Sequence, residues 1–460
     1  FAGLNFWGWG GLASQSETNI YWQPGDDYCG DPAQEQQGLN SVYACDESTI
    51  AVIKTATEAI SKALLPEARF VLEQNAGIFE GEGPHTIEVS LNAAREVEAD
   101  FELEVSTDFG EAVQTFSKSA ELVKGPNGLA FDLGLESGFY KAVLYIVRNG
   151  VRTELARTNL GFDPEQIISA QDKQPDFEEF WSNTLEELAS VAPEYKLIPL
   201  KEHSNDVREA FRVEMKSFGG DTVSGLLYMP VADGRYPAMI SYMGYGSDVW
   251  YADPSSNPQM IEFMLCIRNQ AFNRQPGEKD DWCARGIADK NTYYYRGAFA
   301  DAVRAIDFVC SLDKTDTDRV FASGESQGGA LTFAAASLDD RLKAIAPSAP
   351  FLCDYPDYFV LAGWPGDPIK AAAKEAGMSD EDMYKVLSYF DIKNFTDRIQ
   401  CPVIMAIGLQ DPVCPPHTNF AAYNHIKTEK SWICYPLSGH NVWQQEGWPV
   451  AKEDFFEKYL

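Results

Sequence analysis

The sequence predicts an α/β fold, a mostly parallel sheet covered by helices, preceded by a smaller antiparallel β-sandwich. Two observations carry this. From about residue 175, short continuous apolar runs such as "AMISYMG", "CPVIMAIG" and "SWICYPL" alternate with amphipathic helical patterns, as buried parallel strands and their covering helices do. Between about residues 79 and 163 the apolar residues instead recur with period two, as in strands with one face in a core. A chain of 460 residues exceeds one ordinary core. The changes of pattern divide it into a segment 1–68, unassigned apart from one helix, a β-sandwich of immunoglobulin-like type over 69–165 and the α/β domain over 166–460.

Taken in order, "STIAVIKTATEAISKALL" reads as a helix with Ile50, Ile53 and Ile60 facing inward. "TIEVSLNA" puts Ile87, Val89 and Leu91 on one strand face, and "DFELEVS" does the same with Phe101, Leu103 and Val105. Asn149-Gly150 between two further strand-like runs marks a hairpin, because a type I′ turn needs positive φ at both central residues. In "PDFEEFWSNTLEEL", Asp176 is placed to cap a helix, with Glu179 completing a capping box and Phe177, Phe180, Trp181, Leu185 and Leu188 forming the apolar stripe. "FRVEMKSFGGDTVSGLLYMP" reads as an antiparallel hairpin, and the alternating strands and helices follow. The insertion from Phe351 to Arg398 is helical in pattern and falls between two strands, where it is expected to cap the strand ends that bind ligands in such sheets.

Composition limits the function. A net charge of -32 argues against partners held through a basic face, nucleic acid and anionic lipid among them. The sequence holds no run of 18 apolar residues, so no membrane span is expected. The chain opens with Phe1 in "FAGLNFWGWGG", from which a removed leader and an exported protein, periplasmic or secreted, are expected. Seven of the nine cysteines follow position 265 in apolar runs and read as small buried hydrophobes. Cys29 and Cys45 remain a candidate pair in an oxidising compartment.

The chemistry centres on "VFASGESQGG". An apolar strand, then Gly324-Glu325-Ser326-Gln327-Gly328, then an alanine-rich helix is the context of a nucleophile elbow, in which small flanking residues let strand and helix meet around a strained serine. The serine needs a base and the base an orienting acid, in the order serine, acid, histidine on an α/β-hydrolase. Of five histidines, His85 and His203 precede Ser326. His425 falls in a helical pattern, and His417, close to the acid candidate, is placed to border the pocket. His440, in a glycine loop after the last strand, is the base chosen. Asp411 ends the preceding strand and is the acid. The oxyanion donors are then the backbone N–H groups of Gln327 and Tyr245, the latter in "SYMGYG". No metal-ligand motif such as H-E-x-x-H is present, and no metal or other cofactor is expected.

Several stretches in one order, "ARGIADKNTYYYRGAFADAVRAIDF", "GESQGGAL", "APFLCD", "YFDIKNF" and "GLQDPVCPPHTNFAAYN", resemble the acetyl xylan esterase and cephalosporin-C deacetylase family, carbohydrate esterase family seven. The likeness covers roughly residues 174 to 460. It implies a serine esterase that removes O-acetyl groups from small sugars and acetylated xylo-oligosaccharides, with Ser326, Asp411 and His440 as triad and Tyr245 and Gln327 as oxyanion donors. Family members often form ring-shaped hexamers, so a homo-oligomer is also among the expectations. Two departures stand out: the family's Arg-Gly-Gln is matched to "FNRQPG", Arg274 and Gln275 without the glycine, and Asn441 follows His440 where glutamate is common. Two other readings are carried beside this one. A serine peptidase of the same fold is one, disfavoured by Gln327 and "TYYYR". A carbohydrate-binding sandwich beside an inactive hydrolase is the other, though residues 79–163 hold no tryptophan and packing is the better role for them. Trp7, Trp9 and Trp22 read as core anchors, Tyr293 to Tyr295 as buried, and Arg285 and Arg296 as partners in structural ion pairs.

Overall fold

The computed structural model describes residues 9–11, 42–43, 51–52, 54–55 and 65–460 except 149. Cys29, Cys45, Trp7, Trp22, Ile50, Ile53, Ile60 and Asn149 therefore lie outside the described residues, as does the side chain of Trp9. Strands β1 (Trp9–Gly11) and β2 (Val42–Tyr43) pair in parallel, and residues 51–52 and 54–55 are helical.

The sandwich follows from two stacked sheets. One has the order β4-β10-β9-β6-β7 and the other β3-β5-β8, with β3 (Glu67–Phe70), β4 (Ile78–Phe79), β5 (His85–Ala93), β6 (Val97–Thr107), β7 (Ala112–Leu122), β8 (Gly125–Leu133), β9 (Gly138–Arg148) and β10 (Val151–Phe162). Ile87, Val89 and Leu91 from one sheet meet Phe101, Leu103 and Val105 from the other, and all six are buried in one core. The sequence alone marks no strand at β7. This edge strand is exposed at most positions; on its inward face Gln114 and Lys118 interrupt Phe116, Ala120 and Leu122, so the alternation that marks a half-buried strand is broken.

The second domain is built on one sheet of nine strands, ordered β11-β12-β13-β15-β14-β16-β17-β18-β19. They are β11 (Lys196–Pro199), β12 (Arg208–Lys216), β13 (Thr222–Pro230), β14 (Tyr236–Tyr242), β15 (Ile261–Cys266), β16 (Thr315–Glu325), β17 (Ala344–Ser348), β18 (Val403–Gly408) and β19 (Lys430–Tyr435). The first three and β15 pair antiparallel, and from β15 to β19 every pairing is parallel. β18 is buried at all six positions, which is why it reads as a continuous apolar run without alternation.

Helices α1 (Phe177–Ser190), α2 (Tyr294–Ser311) and α3 (Gln327–Leu338) cover the sheet. Asp176 stands at the N-cap of α1, but its side chain makes no capping bond; the carboxylate is drawn to Lys290 Nζ and the Tyr389 hydroxyl instead. A cation 114 residues away outcompetes the neutral backbone amide, because charge-assisted bonds are the stronger. The insertion folds as α4 (Tyr355–Leu361), α5 (Gly366–Glu375) and α6 (Asp380–Leu387). The chain ends with α7 (Pro416–Tyr423), β19 and α8 (Gly447–Glu457).

The two domains share packing. Ile78 and Phe139 of the sandwich are buried in the core of the second domain, with the Phe139 and Phe420 rings 5.8 Å apart. His417 on α7 meets Asp108 of the sandwich, Nδ1 to Oδ2 at 2.9 Å, and so turns away from the cavity that the sequence had it bordering. The seven cysteines after residue 265 are free, six of them buried.

Candidate active site

Ser326 sits between β16 and α3 with φ 58 and ψ -120, a left-handed backbone that a serine adopts only under constraint. The constraint comes from packing. A Cβ on Gly328 would stand 2.1 Å from the Tyr242 carbonyl oxygen, and one on Gly324 would stand 2.5 Å from the backbone of Gly328, so only glycine lets strand and helix close around the turn. The Ser326 amide donates to the Ser348 carbonyl at 3.0 Å, and the Ser326 carbonyl accepts from Ala330 and Phe351.

Asp411 and His440 come together at the ends of β18 and β19. His440 Nδ1 lies 2.9 Å from Asp411 Oδ2, while Asp411 Oδ1 accepts the backbone N–H groups of Val413 at 2.8 Å and Cys414 at 2.9 Å. The carboxylate is nearly inaccessible and the imidazole side chain 23% exposed. An ionised carboxylate only accepts, so Nδ1 carries the proton of the neutral ring and Nε2 is left to take one. Burial alone would lower the His440 pKa; the hydrogen bond to Asp411 and the charges of Asp411 and Glu325 outweigh it, and the net shift is upward.

A cavity of about 870 Å³ joins Ser326, His440 and Tyr245, with Trp250, Trp364 and Trp443 on its walls. Trp364 comes from the helical insertion, which thus reaches the strand ends as its position implied. The cavity is the place for a substrate. No hydrogen bond links Ser326 to His440 in this structure, and such catalytic bonds commonly close only with substrate in place.

Among the described residues, the backbone amides of Gln327 and Tyr245 have no hydrogen-bond partner. Below them lies a buried polar network that sequence reading did not find. Gln270 Oε1 accepts from the Gly246 amide at 2.8 Å, Gln270 Nε2 donates to the Tyr294 hydroxyl at 2.9 Å, and the Tyr295 hydroxyl donates to Gln327 Oε1 at 3.0 Å. It fixes both candidate donor segments from beneath. Tyr293, Tyr294 and Tyr295 are indeed buried, and Arg285 and Arg296 pair with Glu278 and Asp281 and with Glu187.

Arg274 and Gln275, matched above to the family's Arg-Gly-Gln, are exposed. Arg274 pairs with Asp280 at the surface, whereas Arg268-Asn269-Gln270 begins one residue past the end of β15. Asn269 has φ 63, a conformation that favours glycine and that asparagine tolerates best among the others. Arg268 binds the buried Asp301 through Nε at 2.7 Å and Nη2 at 2.8 Å.

Among the described residues, Asp411, Cys414 and His440 form the one grouping with metal-ligand spacing, their donor atoms within 4.8 Å. Asp411 and His440 are already engaged with each other. Burial pushes the Cys414 thiol well above its ordinary value.

Residues 165–448 match the acetyl xylan esterase (AXE1) family. The chain belongs to that family. Its second domain has the fold of acetyl xylan esterases of known structure. An acetyl xylan esterase of known structure from Paenibacillus sp. R4 is 30% identical with a TM-score of 0.60, covering 65% of this chain and 98% of that one. Acetyl xylan esterase 1 from Thermoanaerobacterium sp. JW/SL YS485 is 27% identical with a TM-score of 0.59, covering 64% and 97%. The acetyl esterase Axe7A of Xylanibacter ruminicola is 27% identical over an alignment of 301 residues that covers 61% of this chain and 66% of that protein. The chain thus spans just under two thirds of that relative's length. Residues 1–64 separately match a glycoside hydrolase family 5 β-mannosidase-like model.

Proposed function

We propose that the chain is a serine esterase that removes O-acetyl groups from carbohydrates through an acetyl-Ser326 intermediate. The observation that carries this is the strained Ser326 turn facing the bonded Asp411–His440 pair in one cavity. Ser326 Oγ attacks the acetyl carbonyl while His440 Nε2 takes its proton, and Asp411 holds the ring and stabilises the imidazolium. The carbonyl oxygen, now an anion, accepts from the free amides of Gln327 and Tyr245, each such donor being worth on the order of 3 kcal/mol. The departing sugar oxygen takes the proton from His440. A water then repeats the cycle, releasing acetate and the serine.

The cavity walls support a saccharide. Trp250, Trp364 and Trp443 are 51%, 40% and 60% exposed, so flat apolar faces stand free where sugar rings stack. Acetylated xylo-oligosaccharides are the first substrate class, and the match of residues 1–64 adds acetylated manno-oligosaccharides. Membership of the esterase family favours this reading over a peptidase. The test is acetate release from both oligosaccharide classes by the wild type and Ser326→Ala. Loss of release in the variant is expected, and release at the wild-type rate would end the proposal.

A further inference from the structure

Glu325 occupies the variable position of G-x-S-x-G, where the elbow itself requires no particular side chain. It closes β16 one residue before Ser326 and lines the same cavity. Its Oε2 accepts the backbone N–H of Trp443 at 2.8 Å, across 118 residues of chain. Trp443 belongs to the tight turn Val442–Gln444, and the Val442 N–H in that turn donates to the His440 carbonyl at 2.9 Å.

The loop that carries His440 is therefore tied on both sides. Before His440, the Gln410 amide donates to the Ser438 carbonyl at 2.9 Å. After it, the tie is Glu325. The Asp411 bond sets the rotation of the ring, whereas these two backbone ties set where the ring stands above the serine. We propose that Glu325 is a positioning residue of the triad, holding the loop of His440 and Trp443 over Ser326 through the Trp443 amide. The proposal rests on the triad reading given above.

Glu325 also acts through its charge. The groups that face it are His440 and Asp411 from the two catalytic loops, Cys414 from the loop before α7, Ser348 from β17 and Lys452 from α8. Burial pushes its carboxyl up to about 7, against the Trp443 hydrogen bond and the charge of His440. Its anion in turn favours the imidazolium of His440. Removing that anion lets His440 become a free base at lower pH.

The experiment is the pH dependence of kcat and KM with p-nitrophenyl acetate and an acetylated xylo-oligosaccharide, for the wild type, Glu325→Ala, Glu325→Gln and Ser326→Ala. Glu325→Ala loses the acceptor, so kcat falls on the order of 10-fold to 100-fold, as small misplacements of catalytic groups do, with KM little changed. Glu325→Gln keeps an acceptor for the Trp443 amide and restores most of kcat, while its acid limb lies at lower pH than that of the wild type. Glu325→Ala with wild-type kcat, or Glu325→Gln as poor as Glu325→Ala, overturns the proposal. Should Glu325→Ala not fold, Glu325→Leu, of similar volume but without an acceptor for the Trp443 amide, decides: a fall in kcat with KM little changed supports the proposal, and wild-type kcat overturns it. Activity surviving in Ser326→Ala would instead sink the triad reading, whatever Glu325 does.

Discussion

The Asn159 backbone amide of the sandwich donates to Gln410 Oε1 at 2.9 Å, so the residue next to Asp411 is held from the other domain. Gln410 Nε2 also donates to the Pro436 carbonyl at 2.9 Å and the Thr158 hydroxyl at 3.1 Å, and the Asn159 side chain donates to the Leu409 carbonyl at 3.1 Å. One side chain thus ties the acid loop to the sandwich and to the segment leading to His440. Gln410→Ala leaves several half-buried groups unpaired and is expected to cost about 1 to 3 kcal/mol of stability. Denaturant unfolding reads the loss, and esterase kinetics on the folded variant should show a lower kcat with KM nearly constant.

Asp411→Asn keeps the shape of the site and changes the bonding. An amide placed to donate to Nδ1 selects the wrong tautomer of His440, and in a comparable triad this change lowers kcat roughly 10⁴-fold. Steady-state kinetics should show that fall in kcat without a matching rise in KM. Equal kcat in the two proteins would remove Asp411 from the mechanism.

The contact between Asp108 and His417 makes the domain junction sensitive to pH. Burial works to lower the His417 pKa, but the hydrogen bond to Asp108 and the charges of Asp108, Asp357 and Asp354 carry it above the ordinary value. A raised folded-state value means the proton is held more tightly in the folded protein, so the contribution is full below the unfolded value near 6.5. It is lost as pH rises through the folded value. Calorimetry of the wild type and Asp108→Asn should show the largest gap in melting temperature at acid pH, narrowing toward pH 8.

Lys393 lies in the helical insertion with almost no exposure and places Nζ 2.8 Å from Asp354 Oδ1. Asp391 is buried beside them and accepts from the amides of Asp354 and Tyr355. Lys393→Met leaves two buried carboxylates without their cation, and unfolding free energy is expected to drop by about 3 to 5 kcal/mol. A change below about 1 kcal/mol, the scale of an exposed pair, would contradict this.

What the sequence made legible followed burial. β5 and β6 alternate because one face meets the opposing sheet, and β18 is wholly apolar because helices cover both its faces. β7 escaped because an exposed edge strand needs no alternation. The elbow at Ser326 and the order of Asp411 and His440 were readable because the backbone demands glycine there and the chain order is tied to the sheet. Glu325, Gln270 and the true partner of Asp176 were not. Their roles depend on Trp443, Gly246 and Lys290, which the fold brings near from distant parts of the chain, and no local pattern encodes such meetings.

The central claim is that Ser326 carries the acetyl group during turnover. Mixing the protein with p-nitrophenyl acetate, quenching in acid within the first turnovers and mapping the digested peptides by mass spectrometry tests it directly. One acetyl group on Ser326, absent when Asp411→Asn or Ser326→Ala is used under the same conditions, is the result expected. Full turnover with no acetyl on Ser326, or with the acetyl on another residue whose replacement abolishes activity, would contradict it.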